Sequence, residues 1–243
     1  MDAGGVISNL ATGDKLGRMA QPMLPKVSFL DPTLTYSVSK YQTACGAADI
    51  MSHIMEVYFN TNKDLFLLDS CMEAMLKTVV KFAPIAVREP ENYEARANLM
   101  WTSSWAINGF INGGRRKAWS CHPMEHELSA IYDIAHGHGL AILTPRWMEY
   151  CLEESNAHRY VSLGVNVFGI DPKGEPMAIA KECIERMREF MSVTLNLPYT
   201  FTEVGIKRKD FATMARKACR YGAIRGFKTL EPQDVERIYE MCI

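Results

Sequence analysis

Apolar residues recur with the spacing of an amphipathic helix through most of this chain, from Ser37 nearly to the end. In segments 39–59, 65–87 and 92–111 they occupy positions i, i+3, i+4 and i+7, which places them on one face of a helix. The same spacing returns in several shorter segments up to the C-terminus. We therefore expect a mainly α fold, a bundle of about eight helices with short connections, over residues 37–243.

Residues 1–36 have a different pattern. The stretch GGVISN is short and contains β-branched residues, ATGDKLG is typical of a turn, and KVSFLDPTLT (residues 26–35) is predicted to be a second strand. Two strands cannot form a stable sheet by themselves. We therefore interpret residues 1–36 as a short β remnant of a larger unit, followed by an all-helical domain.

Composition and charge exclude several classes of protein. The 243 residues carry a net charge of −1, which gives no basic surface for nucleic acid or an anionic membrane. No apolar run reaches the roughly 18 to 20 residues of a membrane span, and the N-terminus lacks the features of a signal peptide. The seven cysteines form no CxxC pair, a pattern typical of reduced thiols in a cytoplasmic protein.

Four of the six histidines lie between residues 122 and 138. His122 and His126 are four residues apart and would share one face of a helix. His136 follows the helical stretch HELSAIYDI, and His138 belongs to HGHG, which we predict to be a glycine-rich turn. This spacing allows His136 to fold back beside the start of the helix without requiring it.

Asp49 and His53 are also four residues apart, in an otherwise apolar helix. A carboxylate and an imidazole on a buried face need compensation, either from each other or from a cation between them. Together with His122 and His136 they would supply one oxygen and three nitrogens, which suits zinc or ferrous iron and leaves a position open for substrate. The alternative is an ordinary structural role, because Asp–His pairs at this spacing also form simple hydrogen bonds on helix surfaces.

The motifs ACGAADIMSHIMEVY, NLMWTSSWAINGF and HPMEHELSAIYDIAHGHGLAILTPRWMEY occur in this order along the chain. The set resembles the iron-containing (group III, metal-dependent) alcohol dehydrogenases, and within them the butanol dehydrogenase-like branch. The resemblance includes GGVISN, DPTLT and GVNVFGID, and so covers essentially the whole chain. It implies a multi-helix domain of the dehydroquinate synthase-like C-terminal type.

The resemblance also implies roles for the candidate residues. Asp49, His53, His122 and His136 match the residues that bind one divalent metal, Fe2+ or Zn2+, in the family. His126 matches a histidine assigned to proton transfer, and an unligated histidine can titrate near neutral pH. Family members reduce aldehydes or oxidise primary alcohols, so the implied cofactor is NAD(P)H and the implied partner is a small alcohol or aldehyde.

Members of this family carry an N-terminal, Rossmann-like nucleotide-binding domain of roughly 150 residues. This sequence has no G-x-G-x-x-G run, so we expect residues 1–36 to be a strip of that domain. Lys15 falls where the family has a lysine that contacts the cofactor. The strands and first helices would then expose apolar surface, and we expect a homodimer.

Three functional hypotheses remain open at this point. The first is an alcohol dehydrogenase or aldehyde reductase that lacks its nucleotide-binding domain. The second is a non-catalytic metal-binding helical remnant. The third is a hydrolase that uses the same open metal position, although no nucleophile motif accompanies it.

Overall fold

The computed structural model describes residues 3–9, 11–61, 65–113 and 119–243. These residues form a two-stranded sheet and nine α-helices, one more helix than the sequence predicts, and the prediction of a mainly α bundle is confirmed. The helices are α1 (Lys40–Tyr58), α2 (Phe66–Arg88), α3 (Tyr93–Ile107), α4 (Cys121–Tyr132), α5 (His136–Cys151), α6 (Ala157–Phe168), α7 (Pro176–Glu189), α8 (Phe211–Ala218) and α9 (Pro232–Met241). In this part of the chain, no helix combines the length and apolarity that crossing a membrane requires.

The two strands form an antiparallel hairpin, β1 (Gly4–Asn9) and β2 (Asp14–Met19). The second strand is thus not KVSFLDPTLT, and that prediction was wrong. Residues 26–31 form no strand, and Pro32–Thr35 is a 3-10 turn capped by the side chain of Asp31. Closing the short connection before Asp14, where Gly13 has positive φ, costs less entropy than bringing β1 to a partner further along the chain.

Helix α1 lies inside the bundle and is buried along most of its length. It packs on α2, α3 and α5, and its aromatic end reaches the main hydrophobic core, where Phe59 contacts Trp147 and Tyr160. Because α1 is enclosed by other helices, polar side chains along it must find partners inside the protein.

Helices α1 and α5 approach each other closely at Gly137, in the first turn of α5. A Cβ atom on this residue would lie only 1.9 Å from the carbonyl oxygen of Cys45 on α1. Glycine is therefore required here by space. The contact brings the start of α5, including His136, against the part of α1 that carries Asp49 one turn further on.

Candidate metal centre

The four predicted metal ligands converge from three helices. Asp49 and His53 lie on consecutive turns of α1, His122 is in the first turn of α4, and His136 is the first residue of α5. Three ring nitrogens surround one carboxylate oxygen: the Nε2 atoms of His53, His122 and His136 lie 3.4, 3.6 and 3.8 Å from Asp49 Oδ1. The convergence that spacing alone left open is thus present in the fold.

These separations match the edges of a metal coordination shell better than hydrogen bonds. Ligands at about 2.05 Å in a tetrahedral site lie roughly 3.3 Å from one another, whereas hydrogen bonds between nitrogen and oxygen are about 2.7 to 3.2 Å long. Among the described residues, neither Asp49 Oδ1 nor His122 Nε2 has a hydrogen-bond partner, although both atoms are buried. Buried polar atoms of this kind call for a partner, and the donor set fits a divalent cation.

Two buried glutamates support the histidines, and the sequence analysis did not identify them. Glu56 Oε1 lies 3.2 Å from Nδ1 of His122, and Glu125 Oε2 contacts Nδ1 of His136. The Glu125 side chain is fully buried and that of Glu56 nearly so. A carboxylate on Nδ1 orients a histidine so that Nε2 faces the metal.

The charges of the cluster favour a cation at its centre. Burial alone would lower the pKa of His122, but Glu56 and Asp49 on its two sides raise it to about 9. Burial would raise the pKa of Asp49, but the surrounding histidines hold it below its ordinary value. At neutral pH the carboxylates of Glu56 and Asp49 therefore stabilise a positive charge at His122. A proton on the ring or a bound divalent metal can supply that charge.

His126 lies next to this cluster without joining the set around Asp49. Its ring is one turn beyond His122 on α4, and its centroid is 5.5 Å from that of His136 and 6.3 Å from that of His122. Burial, together with the charges of His136, His122 and Lys15, lowers the pKa of His126 to about 3. The ring is therefore neutral at pH 7, which differs from the expectation that it titrates near neutrality.

A cavity of about 640 Å³ opens over the histidines and is bounded on the opposite side by the β1–β2 hairpin. Lys15 on β2 lines this cavity, as do His126, Trp119 and Ile107. The Lys15 ammonium lies 3.9 Å from Glu125 Oε2, so the hairpin brings a cation beside the site. A volume of this size is typical of a pocket for a small molecule.

An ionic cluster of four residues attaches the hairpin to the helices. Arg220, just after α8, bonds Asp14 of β2 at 2.9 Å and Glu127 of α4 at 2.6 Å. Lys217 of α8 contacts the same two carboxylates at 3.2 and 3.4 Å. Since these four side chains join β2, α4 and the end of α8, they fix the position of Lys15 over the cavity.

His138 does not lie in a turn, because HGHG forms the first turn of α5. The prediction of a turn was wrong because both glycines are accommodated within the helix, where they permit close packing against Cys45 and Glu125. The ring of His138 is buried and bridges two parts of the fold. Its Nε2 is 2.8 Å from the carbonyl oxygen of Pro198, and its Nδ1 is 3.1 Å from the hydroxyl of Tyr41.

Comparison with known proteins finds sequence relatives that are named as butanol dehydrogenases. The chain is 48% identical over 242 residues to NADH-dependent butanol dehydrogenase A of Clostridium acetobutylicum, covering 99% of this chain and 62% of that protein. It is 46% identical to butanol dehydrogenase B of the same organism, covering 100% of this chain and 63% of the relative. This chain therefore spans less than two thirds of the length of these relatives.

Solved structures agree with the sequence relatives. The NADH-dependent butanol dehydrogenase A of Thermotoga maritima superposes with a TM-score of 0.92 at 32% identity, over 100% of this chain and 62% of that one. The profile of the Fe-containing alcohol dehydrogenase family, C-terminal part, matches residues 43–243. These findings confirm the resemblance found in the sequence motifs. The chain belongs to the iron-containing alcohol dehydrogenase family.

Proposed function

We propose that this chain binds one divalent metal, Fe2+ or Zn2+, and forms the catalytic half of an alcohol dehydrogenase or aldehyde reductase that uses NAD(P)H. The metal ligands are Asp49, His53, His122 and His136. The observation that carries the proposal is the set of three imidazole Nε2 atoms around Asp49 Oδ1, at the wall of a cavity large enough for a small molecule.

A bound divalent metal supplies Lewis-acid stabilisation of the alkoxide oxygen of an alcohol, or of the carbonyl oxygen of an aldehyde. Asp49 and the three histidines hold that charge in place. His126 lines the same cavity as a neutral ring, so one of its nitrogens can accept a hydrogen bond from the hydroxyl group of an alcohol, and the family resemblance assigns it the proton transfer.

The hairpin has a proposed role in cofactor binding. We propose that Lys15 contacts NAD(P)H, since its ammonium group lies on the cavity wall opposite the helices. Trp119 packs edge-on against the rings of His53 and His122, and it limits the access of water to the site. Exclusion of water strengthens electrostatic interactions there.

The domain organisation is also a proposal. We divide the chain into a β remnant of the nucleotide-binding domain at residues 1–36 and a helical metal-binding domain at 37–243. The alternative function is a non-catalytic metal-binding helical domain, which needs the same four ligands but no cofactor. Both functions require the metal, and only the dehydrogenase requires hydride transfer.

Metal analysis of purified variants tests the site. We expect about one metal per wild-type chain, strong loss in His122→Ala, and retention in His126→Ala. His158→Ala, at an exposed position, is the matched control. Equal loss of metal in His122→Ala and His126→Ala would show that the roles are assigned wrongly.

Activity separates the two candidate functions. NAD(P)H oxidation with butanal that disappears in His126→Ala, while the metal stays bound, would support the dehydrogenase. Bound metal together with no NAD(P)H oxidation, even when a nucleotide-binding domain is supplied in trans, would favour the non-catalytic metal-binding domain instead.

The oligomeric state is a further part of the proposal. Several apolar side chains of the hairpin and the segment after it are exposed, including Ile7 at 72%, Phe29 at 93% and Leu34 at 76%. Exposed apolar surface of this kind favours association, so we propose a homodimer. Light scattering at micromolar concentration should give twice the chain mass of 27.4 kDa, and a clean monomer would contradict this proposal.

A further inference from the structure

Glu56 makes an unusual number of contacts for a carboxylate in the interior of a helix bundle. Its side chain is 2% exposed and lies near the C-terminal end of α1. Three backbone amides donate to it from the start of α4: Ser120 N at 3.1 Å to Oε2, and Cys121 N and His122 N at 2.6 and 3.0 Å to Oε1.

These amides are the ones that a helix leaves unpaired at its N-terminus. Ser120 occupies the capping position of α4, but its own side chain makes no capping hydrogen bond. The carboxylate of Glu56, supplied by a different helix, takes that place. A negative charge at a helix N-terminus is also favoured by the helix dipole.

The same carboxylate contacts the imidazole of the residue that it caps. Oε1 lies 3.2 Å from Nδ1 of His122, while Nε2 of that ring faces Asp49 on α1. Glu56 therefore holds the backbone of His122 through a hydrogen bond, and its charge lies within ion-pair distance of the ring. Asp49 and Glu56 stand two turns apart on one helix, on opposite sides of a single imidazole.

We propose that Glu56 is the positioning residue for the metal ligand His122, holding its Nδ1–H so that Nε2 is presented to the metal. This inference rests on the proposed metal site and adds a residue to it. Glu56 touches neither metal nor substrate. Its effect is to make one rigid unit from α1 and the start of α4, so that ligands from two helices keep a fixed separation.

A structural cap and a positioning residue predict different results for Glu56→Gln. A cap alone would lower the midpoint of thermal unfolding without a specific change in metal affinity. A positioning residue should weaken zinc binding by about 10- to 100-fold in protein that remains folded, because a neutral amide cannot hold the ring in the same way. Glu73→Gln is the matched control, since Glu73 also accepts two side-chain hydrogen bonds, from Tyr58 and Asn166, away from the site.

The experiment is competitive zinc titration of the wild-type chain, Glu56→Gln and Glu73→Gln, with thermal unfolding of each. We expect the zinc Kd to rise only in Glu56→Gln. Equal Kd values for all three chains would overturn the inference and leave the metal site intact. If the wild-type chain takes up neither Zn2+ nor Fe2+, the proposed function itself fails, and this inference fails with it.

A second measurement does not depend on the variant folding. In the zinc-loaded wild-type chain labelled with 15N, His122 should carry a slowly exchanging proton on Nδ1 and have its Nε2 bound to the metal. The resonance is assigned in the wild-type chain itself, through the correlations of the ring with the backbone of His122. A His122 ring that binds zinc through Nδ1, or one whose Nδ1 proton exchanges rapidly with solvent, would overturn the assignment of Glu56.

Discussion

Replacing Gly137 by alanine tests whether the contact between α1 and α5 sets the geometry of the metal centre. The new Cβ would lie 1.9 Å from Cys45 O and 2.5 Å from Cys45 C. Non-bonded heavy atoms settle at about 3.5 Å, so the two helices must separate by roughly 1.6 Å at this point. Both neighbours are backbone atoms, so rotation of a side chain cannot relieve the clash.

The expected cost follows from two opposing effects. Overpacking of a core costs about 1 to 3 kcal/mol, and the upper part of that range applies where backbone must move. Alanine in place of glycine in a helix returns about 1 kcal/mol. We therefore expect Gly137→Ala to lower the free energy of unfolding by about 1 to 2 kcal/mol. It should also weaken metal binding, because His136 moves with α5 away from Asp49.

Urea unfolding and a zinc titration together check this prediction. The control is Gly46→Ala on α1, where a Cβ meets no atom within 4 Å. That change should stabilise the protein by about 0.5 to 1 kcal/mol through helix propensity. If Gly137→Ala matched this control in both stability and zinc affinity, the close approach of the two helices would have no part in forming the site.

Three further predictions concern other parts of the molecule. Arg220→Ala leaves the buried Glu127 with only one cationic partner, so it should cost about 1 to 3 kcal/mol and speed amide exchange in the β1–β2 hairpin. Arg237→Ala, at an exposed ion pair, should change neither the stability nor the amide exchange of the β1–β2 hairpin. Equal exchange rates in the two variants would contradict the role of the ionic cluster in attaching this hairpin to the helices. Six of the seven cysteines are buried, so a thiol reagent should label the native chain quickly at Cys71 alone, and a fast phase that survives Cys71→Ser would contradict this. Hydrogen bonds from Thr12, Arg220 and Lys217 lower the pKa of Asp14 to about 2, so its contribution to stability is complete above pH 3.8 and is lost as the pH falls through 2. Wild type and Asp14→Asn should therefore differ in Tm at pH 7 and converge near pH 2, and a difference that persists there would contradict the ionic role of Asp14.

Helical periodicity was sufficient to predict most of the fold. Each long apolar pattern became a helix, because burying an apolar face is the dominant force on such segments. The second strand was mispredicted, since DKLGRM has little strand character of its own. Its pairing depends on the short turn before it and on the contact of Asp14 with Arg220 some 200 residues later.

The sequence predicted which residues converge at the candidate site, but it did not predict the carboxylates that lie beside them. Asp49 and His53 share a helix face, so their spacing carried a signal, but nothing in the sequence required the imidazoles of α4 and α5 to meet them. The contacts of Glu56 could not be predicted from its neighbours in the sequence. Glu56 follows His53 by three residues but contacts His122 from another helix. Only the tertiary fold, which brings the start of α4 to the side chain of Glu56, creates that pair.

The link between α4 and α5 has a consequence for the order of folding. Only residues 133–135 separate the two helices, with Asp133 in the left-handed conformation, so His122 and His136 become neighbours as soon as this helical hairpin closes. Asp49 and His53 lie about 70 residues earlier in the chain, and contacts over such distances form late. The α4–α5 pair can offer only two ligand nitrogens, from His122 and His136, which are too few to bind zinc tightly. Tight metal binding during refolding should therefore begin when α1 packs against the other helices. The time course of metal binding would then measure when the helical bundle is complete.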